Sequence, residues 1–227
     1  MIAVVIPAHN EADLIVACIR SVLTCAKSAE LNGEAVTVVV VADHCADRTA
    51  ALAEALGAVS LRVDFHNVGK ARAAGAAYAI QAGARWLAFT DADSVVAEDW
   101  LASQLRQQAE VVCGTVAVDD WLDYGEGMRN HYAQTYNDRD GHRHIHGANL
   151  GVCAQAYLRA GGFQPLRSSE DVALVNALIA SGARMAWSAA PRVVTSARRS
   201  FRAPDGFGAT LFQVERQAAL SLKGEAC

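Results

Sequence analysis

Apolar and polar positions alternate with two different periods along the first hundred residues. Residues 2–6 form a short apolar run rich in β-branched side chains, the pattern of a buried strand. Residues 11–29 place Leu14, Ile15, Cys18, Ile19, Val22 and Leu23 at helical spacing. Residues 36–41 predict a second strand, apolar apart from Thr37, as strands covered on both faces are. A helix over 47–57 closed by Gly57 follows, then a third strand over 59–63. An alanine-rich helix over 69–83 ends at Gly83, and a fourth strand covers 86–90. This order predicts a parallel sheet with helices on both faces. Right-handed crossovers then put the loops after the strands along one edge, where open α/β sheets bind ligands.

The second half is less regular. Residues 111–118 read as a strand, and 119–145 are polar and aromatic, with Trp121, Tyr124, Tyr132 and Tyr136. Gly147, Gly151, Gly161 and Gly162 punctuate the next stretch. Residues 170–181 predict a helix, 185–187 and 192–195 two short strands, and 205–223 one amphipathic helix. No repeat or low-complexity linker divides the chain, so one domain is expected.

Composition narrows the class. The 227 residues are 52% hydrophobic and 19% charged, which supports a well-buried core and excludes disorder. The formal charge of −4 gives no overall pull toward nucleic acid or anionic lipid. The longest apolar run, 35–42, falls far short of the roughly 18 residues of a spanning helix. The N-terminal run meets Pro7 at once and has no basic flank, unlike a signal peptide. A soluble, cytoplasmic protein without a transmembrane segment is expected. The six cysteines form no C-x-x-C pair and read as small buried hydrophobes in a reducing compartment.

Candidate chemistry gathers where the strands end. Pro7-Ala8-His9-Asn10-Glu11, Asp43-His44-Cys45-Ala46-Asp47, His66-Asn67-Val68-Gly69-Lys70 and Asp91-Ala92-Asp93-Ser94 follow the four strands in turn. In Asp91-Ala92-Asp93, alternate residues share a face, so two carboxylates point the same way. Paired hard oxygens suit Mg2+ or Mn2+, which also take phosphate oxygens. The competing reading is that Asp93 or Ser94 caps the next helix. His142, His144 and His146 would share a face on an extended segment, for metal binding or for structure.

Taken in order, these segments resemble those of family 2 glycosyltransferases of the GT-A fold. Val5-Ile6-Pro7-Ala8-His9-Asn10-Glu11 resembles the family's V-I-P-x-x-N-E. Asp43 to Thr49 sits where the family often has D-D-G-S-x-D-x-T, with Ala42 for the first Asp and His44-Cys45 for Gly-Ser. Asn67-Val68-Gly69-Lys70-Ala71-Arg72 resembles N-x-G-K/R-x-x-A, and Thr90-Asp91-Ala92-Asp93-Ser94 the metal motif. Gly147-Ala148-Asn149-Leu150-Gly151 and Gly161-Gly162-Phe163 resemble G-x-N-x-x-x-R and G-G-F-D, with Gln164 in place of the Asp. Glu170-Asp171 resembles the E-D pair. The resemblance spans about residues 2–195.

The resemblance implies an α/β GT-A (nucleotide-diphospho-sugar transferase) fold: a mostly parallel central sheet with helices on both faces. Residues 1–118 would be its nucleotide-binding half, 119–204 its acceptor and catalytic half, and 205–227 a C-terminal helix. It implies transfer of a sugar from a nucleotide-diphosphate donor to an acceptor hydroxyl, inverting the anomeric centre, with Mg2+ or Mn2+. Pro7, Ala8, His9, Asn10, Glu11, Asp43, Lys70, Arg72, Asp91, Ala92 and Asp93 would bind the donor. Asp93, helped by Asp91, would hold the metal, and Lys70 or Arg72 would pair with phosphate. Asp171 would be the general base, with Glu170 raising its pKa by repulsion if both are buried. The bland reading of Glu170-Asp171 is a helix N-terminus, where the dipole favours acids. His146, Gly147, Ala148 and Asn149 would line the acceptor pocket. Arg198, Arg199 and Arg202 would close over the diphosphate or form a solvated face. Trp121 and Tyr124 would stack on an acceptor sugar or simply pack.

Two other readings stay open. A sugar-phosphate nucleotidyltransferase opens with a Gly-rich loop, and residues 7–13 contain no glycine. A non-catalytic nucleotide-sugar-binding relative would lack Asp93 or Asp171, and both are present. A NAD-linked enzyme needs G-x-G-x-x-G where this chain has Pro-Ala-His-Asn-Glu-Ala. The motifs leave the acceptor open. The missing spanning helices and missing Q-x-x-R-W signature favour a small or soluble one over the products of membrane-embedded synthases. The tail helix is a candidate for homodimerisation or for resting on a membrane.

Overall fold

The computed structural model describes residues 1–118, 121, 124 and 126–196. The expected tail helix and the Arg198, Arg199, Arg202 cluster lie outside the described residues. Met1–Ala117 with Asp138–Thr195 forms one compact unit, and the described residues of 118–137 belong to a second.

The first unit alternates β1 (Ile2–Ala8), α1 (Ile15–Cys25), β2 (Val36–Asp43), α2 (Thr49–Ala55), β3 (Val59–Val63), α3 (Val68–Gln81) and β4 (Trp86–Phe89). It continues with β5 (Ser94–Val96), α4 (Trp100–Arg106) and β6 (Val111–Ala117). After the second unit's α5 (Glu126–Thr135) come β7 (Leu150–Cys153), α6 (Ala154–Arg159), α7 (Glu170–Ala180) and β8 (Met185–Thr195). The eight strands make one sheet, ordered β3-β2-β1-β4-β7-β6-β8-β5. Strands β1 to β4 pair in parallel, as expected, while β7 joins β4 and β6 antiparallel and β5 joins β8 antiparallel.

The continuous apolar strands are explained by two separate cores. In β1, Ile2, Val4 and Ile6 pack on one face with α1 residues, while Ala3 and Val5 pack on the other with α3 residues. In β2, Val38 and Val40 join the first core and Val39 and Val41 the second. Successive strand side chains point to opposite faces, so a strand covered twice has no polar position to spare. Helix α3 approaches closely because its buried face is small: Ala71, Gly75, Ala76 and Ala79. A Cβ at Gly75 would lie 2.4 Å from Val5 Cγ1 and 2.9 Å from Val41 Cγ2.

Two expectations change. The two short strands expected at 185–187 and 192–195 are one strand, β8, which shifts register against β6 between Cys113 and Thr115. Pro191, which has no N–H to donate, sits in that irregular stretch. Asp140 accepts from the Ser188 hydroxyl (2.9 Å) and the Ala189 N–H (2.8 Å) there, supplying partners that a regular ladder would. Residues 119–145 also contain a helix, α5, which periodicity did not mark. In the second unit, Tyr124 and Met128 are buried against Val118, Trp121 and Tyr132.

Among the described residues no helix is long and apolar enough to cross a membrane. Cys18, Cys25, Cys45, Cys113 and Cys153 are free thiols; the first two and Cys113 are buried as expected, Cys45 and Cys153 are half-buried, and Cys227 lies outside the described residues. Gly75→Ala is expected to lower stability by about 1–3 kcal/mol through overpacking, against the usual gain for Gly→Ala in a helix. Urea denaturation measures it, and Gly127→Ala in α5, whose added Cβ meets nothing within 4 Å, is the control.

Candidate functional site

Strands β1, β2 and β3 run outward to one side, and β4 returns to the other side of β1. The topological switch point thus lies between β1 and β4, and ligands of such sheets bind at its carboxyl edge. At that edge Asn10, at φ 52°, accepts from the N–H groups of Ala46 (2.8 Å) and Asp47 (3.3 Å) through Oδ1. Asp47 returns the tie by accepting from the Ala12 N–H (3.0 Å), and Thr49 accepts from the Glu11 N–H (2.8 Å). His9 donates through Nδ1 to the Asp43 carbonyl (2.7 Å). The Glu11 carbonyl receives Leu14 and Ile15 N–H groups, and its side chain is buried. Pro7, Ala8, His9, Asn10 and Glu11 therefore form one braced ledge with the loop after β2.

Asp43 is the keystone of the next loop. Its buried carboxylate accepts from the N–H groups of Phe65 (2.6 Å), His66 (3.0 Å) and Asn67 (2.9 Å). Asn67 then caps α3, accepting from the Lys70 N–H at 2.8 Å. Its amide also donates to the Leu166 carbonyl (2.8 Å). A Cβ at Gly69 would stand 2.5 Å from the Gln164 carbonyl and 3.2 Å from Glu170 Cβ. The N-x-G-K segment is thus a cap plus a contact point for the chain leading into α7. Lys70 remains exposed.

Arg72 is buried and paired inside the protein. Its side chain is 5% exposed and donates to Asp91 Oδ1 (2.6 Å) and to Glu170 Oε1. A buried guanidinium needs counter-charges, and these two carboxylates supply them. Gly147 lies against it: an added Cβ would meet the guanidinium at 2.5 Å. The Gly147 N–H donates to Asp171 Oδ2 (2.8 Å), and the Val172 N–H to Asp171 Oδ1 (2.8 Å). One cation therefore joins the turn after β4 to the first turn of α7. Burial, opposed by Arg72 and reinforced by Asp171, holds Glu170 above the ordinary carboxylate range. The signal for this network was present in the sequence: Arg72 shares the spacing of Gly75, Ala76 and Ala79 on the buried face of α3.

Asp91 and Asp93 lie on a turn beyond β4, closed by the Ser94 N–H donating to the Asp91 carbonyl (3.1 Å). The expected alternation shows in burial: both aspartates are half-buried while the Ala92 side chain is buried in the core. The helix-cap alternative does not hold, because Ser94 enters β5 instead. Burial, then the charges of Asp91 and Asp93, drive the neighbouring Cys18 thiol far up. Two hard-oxygen donors, half-open at the carboxyl edge, fit Mg2+ or Mn2+, which bind through one or two carboxylates and keep other positions for water and phosphate.

The acceptor-side expectations divide. Asn149 is 1% exposed and fully engaged: its amide donates to the Thr115 (2.6 Å) and Pro191 (2.9 Å) carbonyls and accepts from Trp100 Nε1 (2.9 Å). It ties the irregular β6–β8 pairing together. Ala148 is buried and Gly147 serves Asp171 and Arg72. His146 is half-buried; burial and the neighbouring imidazoles push it down to about 3, so it is neutral near pH 7. His142, His144 and His146 do share a face, stacked at 5.5 and 5.8 Å between ring centroids, with fully buried His142 edge-on to Trp187. Trp121 and Tyr124 pack edge to face at 6.0 Å.

The chain is 16% identical to S. aureus TarS 1-349, solved in complex with UDP-GlcNAc, with a TM-score of 0.67 over 91% of this chain and 61% of that one. It is 17% identical to the Pyrobaculum calidifontis mannosyltransferase PcManGT, solved with GDP-Man and Mn2+, with a TM-score of 0.67 over 88% and 57%. Identities this low speak for the shared GT-A fold alone, and the chain spans about three fifths of each of these structures. No curated protein matches it in sequence. The model of glycosyl transferase family 2 matches residues 3–160, well over half of the chain. With the strand-edge ledge, the D-x-D turn and this match in agreement, the chain belongs to glycosyl transferase family 2.

Proposed function

We propose that this glycosyltransferase moves a sugar from a nucleoside-diphosphate donor to an acceptor hydroxyl in one inverting displacement, using a divalent metal. The observation that carries the reading is the Arg72 bridge, which joins the candidate metal turn at Asp91 to the candidate catalytic pair at Glu170-Asp171. In support, structures of similar fold were solved with UDP-GlcNAc and with GDP-Man and Mn2+.

In this reading the ledge of Pro7 to Glu11 and the Asp43-braced loop receive the nucleotide. Asp93, with the part of Asp91 not given to Arg72, holds the metal. When bound, Mg2+ or Mn2+ supplies positive charge to offset the diphosphate as it leaves. Lys70, exposed at the start of α3, is the phosphate partner in place of Arg72. Asp171, oriented by the Gly147 and Val172 N–H groups, takes the acceptor hydroxyl proton. The freed oxygen bonds to the anomeric carbon as the bond to the diphosphate oxygen breaks. A small or soluble acceptor, a place in the cytoplasm and a homodimer remain part of the proposal. The nucleotidyltransferase alternative loses ground because the β1 ledge holds no glycine and presents no unpaired run of backbone donors for phosphate.

Nucleoside diphosphates and their sugars, screened by thermal shift with and without Mn2+, test the reading. A specific binder at about 100 times its Kd stabilises by roughly 2.7 kcal/mol. The shift is expected to need Mn2+ and to vanish in Asp93→Ala; no metal-dependent shift with any nucleotide would overturn the proposal. Asp171→Asn is expected to keep nucleotide binding but to lose about 100- to 10,000-fold in turnover. Full turnover in that variant would remove Asp171 from the base role. Arg72→Met, which strands two carboxylates, is expected to cost about 3–5 kcal/mol in urea denaturation. Exposed Lys70→Met should change stability by no more than about 0.5 kcal/mol.

A further inference from the structure

The ends of β2 and β3 carry a second set of metal-type side chains, to which the proposed reaction gives no metal role. His44, Asp64 and His66 each offer one ligand atom, and all three atoms lie within 4.8 Å of one another. His44 Nδ1 is 2.8 Å from Asp64 Oδ1, and His66 Nε2 is 3.0 Å from the same oxygen. A tetrahedral ion bonded at about 2.0–2.1 Å sets its ligand atoms about 3.3 Å apart, so small side-chain adjustments convert this cluster into a coordination set.

The scaffold beneath the cluster is already fixed. The His44 N–H donates to the Val63 carbonyl (2.8 Å), and the His66 N–H donates to Asp43 (3.0 Å). Both histidines hold left-handed backbone, at φ 51° and 49°, a conformation that side chains other than glycine rarely adopt. The two rings lie 3.9 Å apart between centroids. Such outliers persist where the surroundings impose them, and they concentrate at ligand sites. His44 and Asp64 also line an open cleft of about 180 Å3, which gives an ion access from solvent.

We propose that His44, Asp64 and His66 form a site for a borderline divalent transition metal of the zinc type, three-coordinate from the protein and completed by water. Two imidazoles and one carboxylate select zinc-like ions over Mg2+, which prefers all-oxygen sets. The site shares no ligand with Asp91 and Asp93, and it does not depend on the glycosyl-transfer reading. Bound metal would clamp the loop after β2 to the loop after β3, the pair that Asp43 already braces.

Calorimetric titration of the full chain with Zn2+, in excess Mg2+ to occupy hard-oxygen sites, tests the proposal. Wild-type protein is expected to bind one Zn2+ with its His44 and His66 ring-nitrogen resonances shifted. His44→Asn, Asp64→Asn and His66→Asn should each weaken binding by at least about tenfold. Asparagine tolerates the left-handed backbone, so the two histidine variants keep the loop conformation; equal metal-free thermal midpoints check this. Asp93→Asn and Cys45→Ser should bind Zn2+ like the wild type. Absence of Zn2+ binding in the wild type, unchanged binding in all three Asn variants, or loss of binding in Cys45→Ser would each overturn it.

Discussion

The candidate site depends on one buried positive charge. Arg72 comes from the small-residue face of α3 and pairs with Asp91, 19 residues on, and with Glu170, 98 residues on. A guanidinium out of water is tolerable only with carboxylates against it. Those carboxylates belong to the D-x-D turn and to the first turn of α7. Electrostatic necessity thus sets two otherwise independent segments at fixed positions. The glycines follow from the same constraint. Gly147 admits the guanidinium and Gly69 admits the chain before α7; a Cβ at either would collide with those neighbours at 2.5 Å.

Around this centre, polar side chains bind backbone far more than they wait for ligands. Asp43 accepts three N–H groups from one loop, Asn10 accepts two from another, and Asn149 meets two carbonyls and an indole. Loops at the carboxyl edge of a parallel sheet leave many peptide groups without ladder partners, and these must be satisfied locally. Family motifs at such positions therefore mix two kinds of residue. Some, such as Asp93, Lys70 and Asp171, are left half-open or exposed. Others, such as Asn67, Gly69 and Asn149, hold the first kind in place. Membership in glycosyl transferase family 2 rests on the match over residues 3–160, and it does not sort the motif residues into these two classes.

Elements with strong periodicity were legible before any coordinates. The first four strands and three helices follow from apolar runs, helical spacing, and the turn glycines Gly57 and Gly83. The E-D pair at the start of α7 and the alternation in Asp91-Ala92-Asp93 were equally local. The helix α5 was not, because its apolar residues meet aromatic neighbours in a small separate cluster and mark no broad stripe. Strand β8 looked like two pieces because Pro191 and its neighbours interrupt the pattern. Hydrogen bonds to Asp140 and from Asn149, both distant in sequence, keep it whole.

By itself, then, the sequence determined the α/β class, the doubly covered strands and the edge that carries the polar loops. Each follows from the strand and helix periodicities of about 2 and 3.6 residues, and those need only near neighbours. Tertiary structure alone decided the roles of individual polar residues. It set Arg72 between two carboxylates and Asn149 between two carbonyls and an indole. It also brought His44, Asp64 and His66 together. The physical reason is that a charge or hydrogen-bonding group is defined by what surrounds it, and those surroundings come from segments up to 101 residues away.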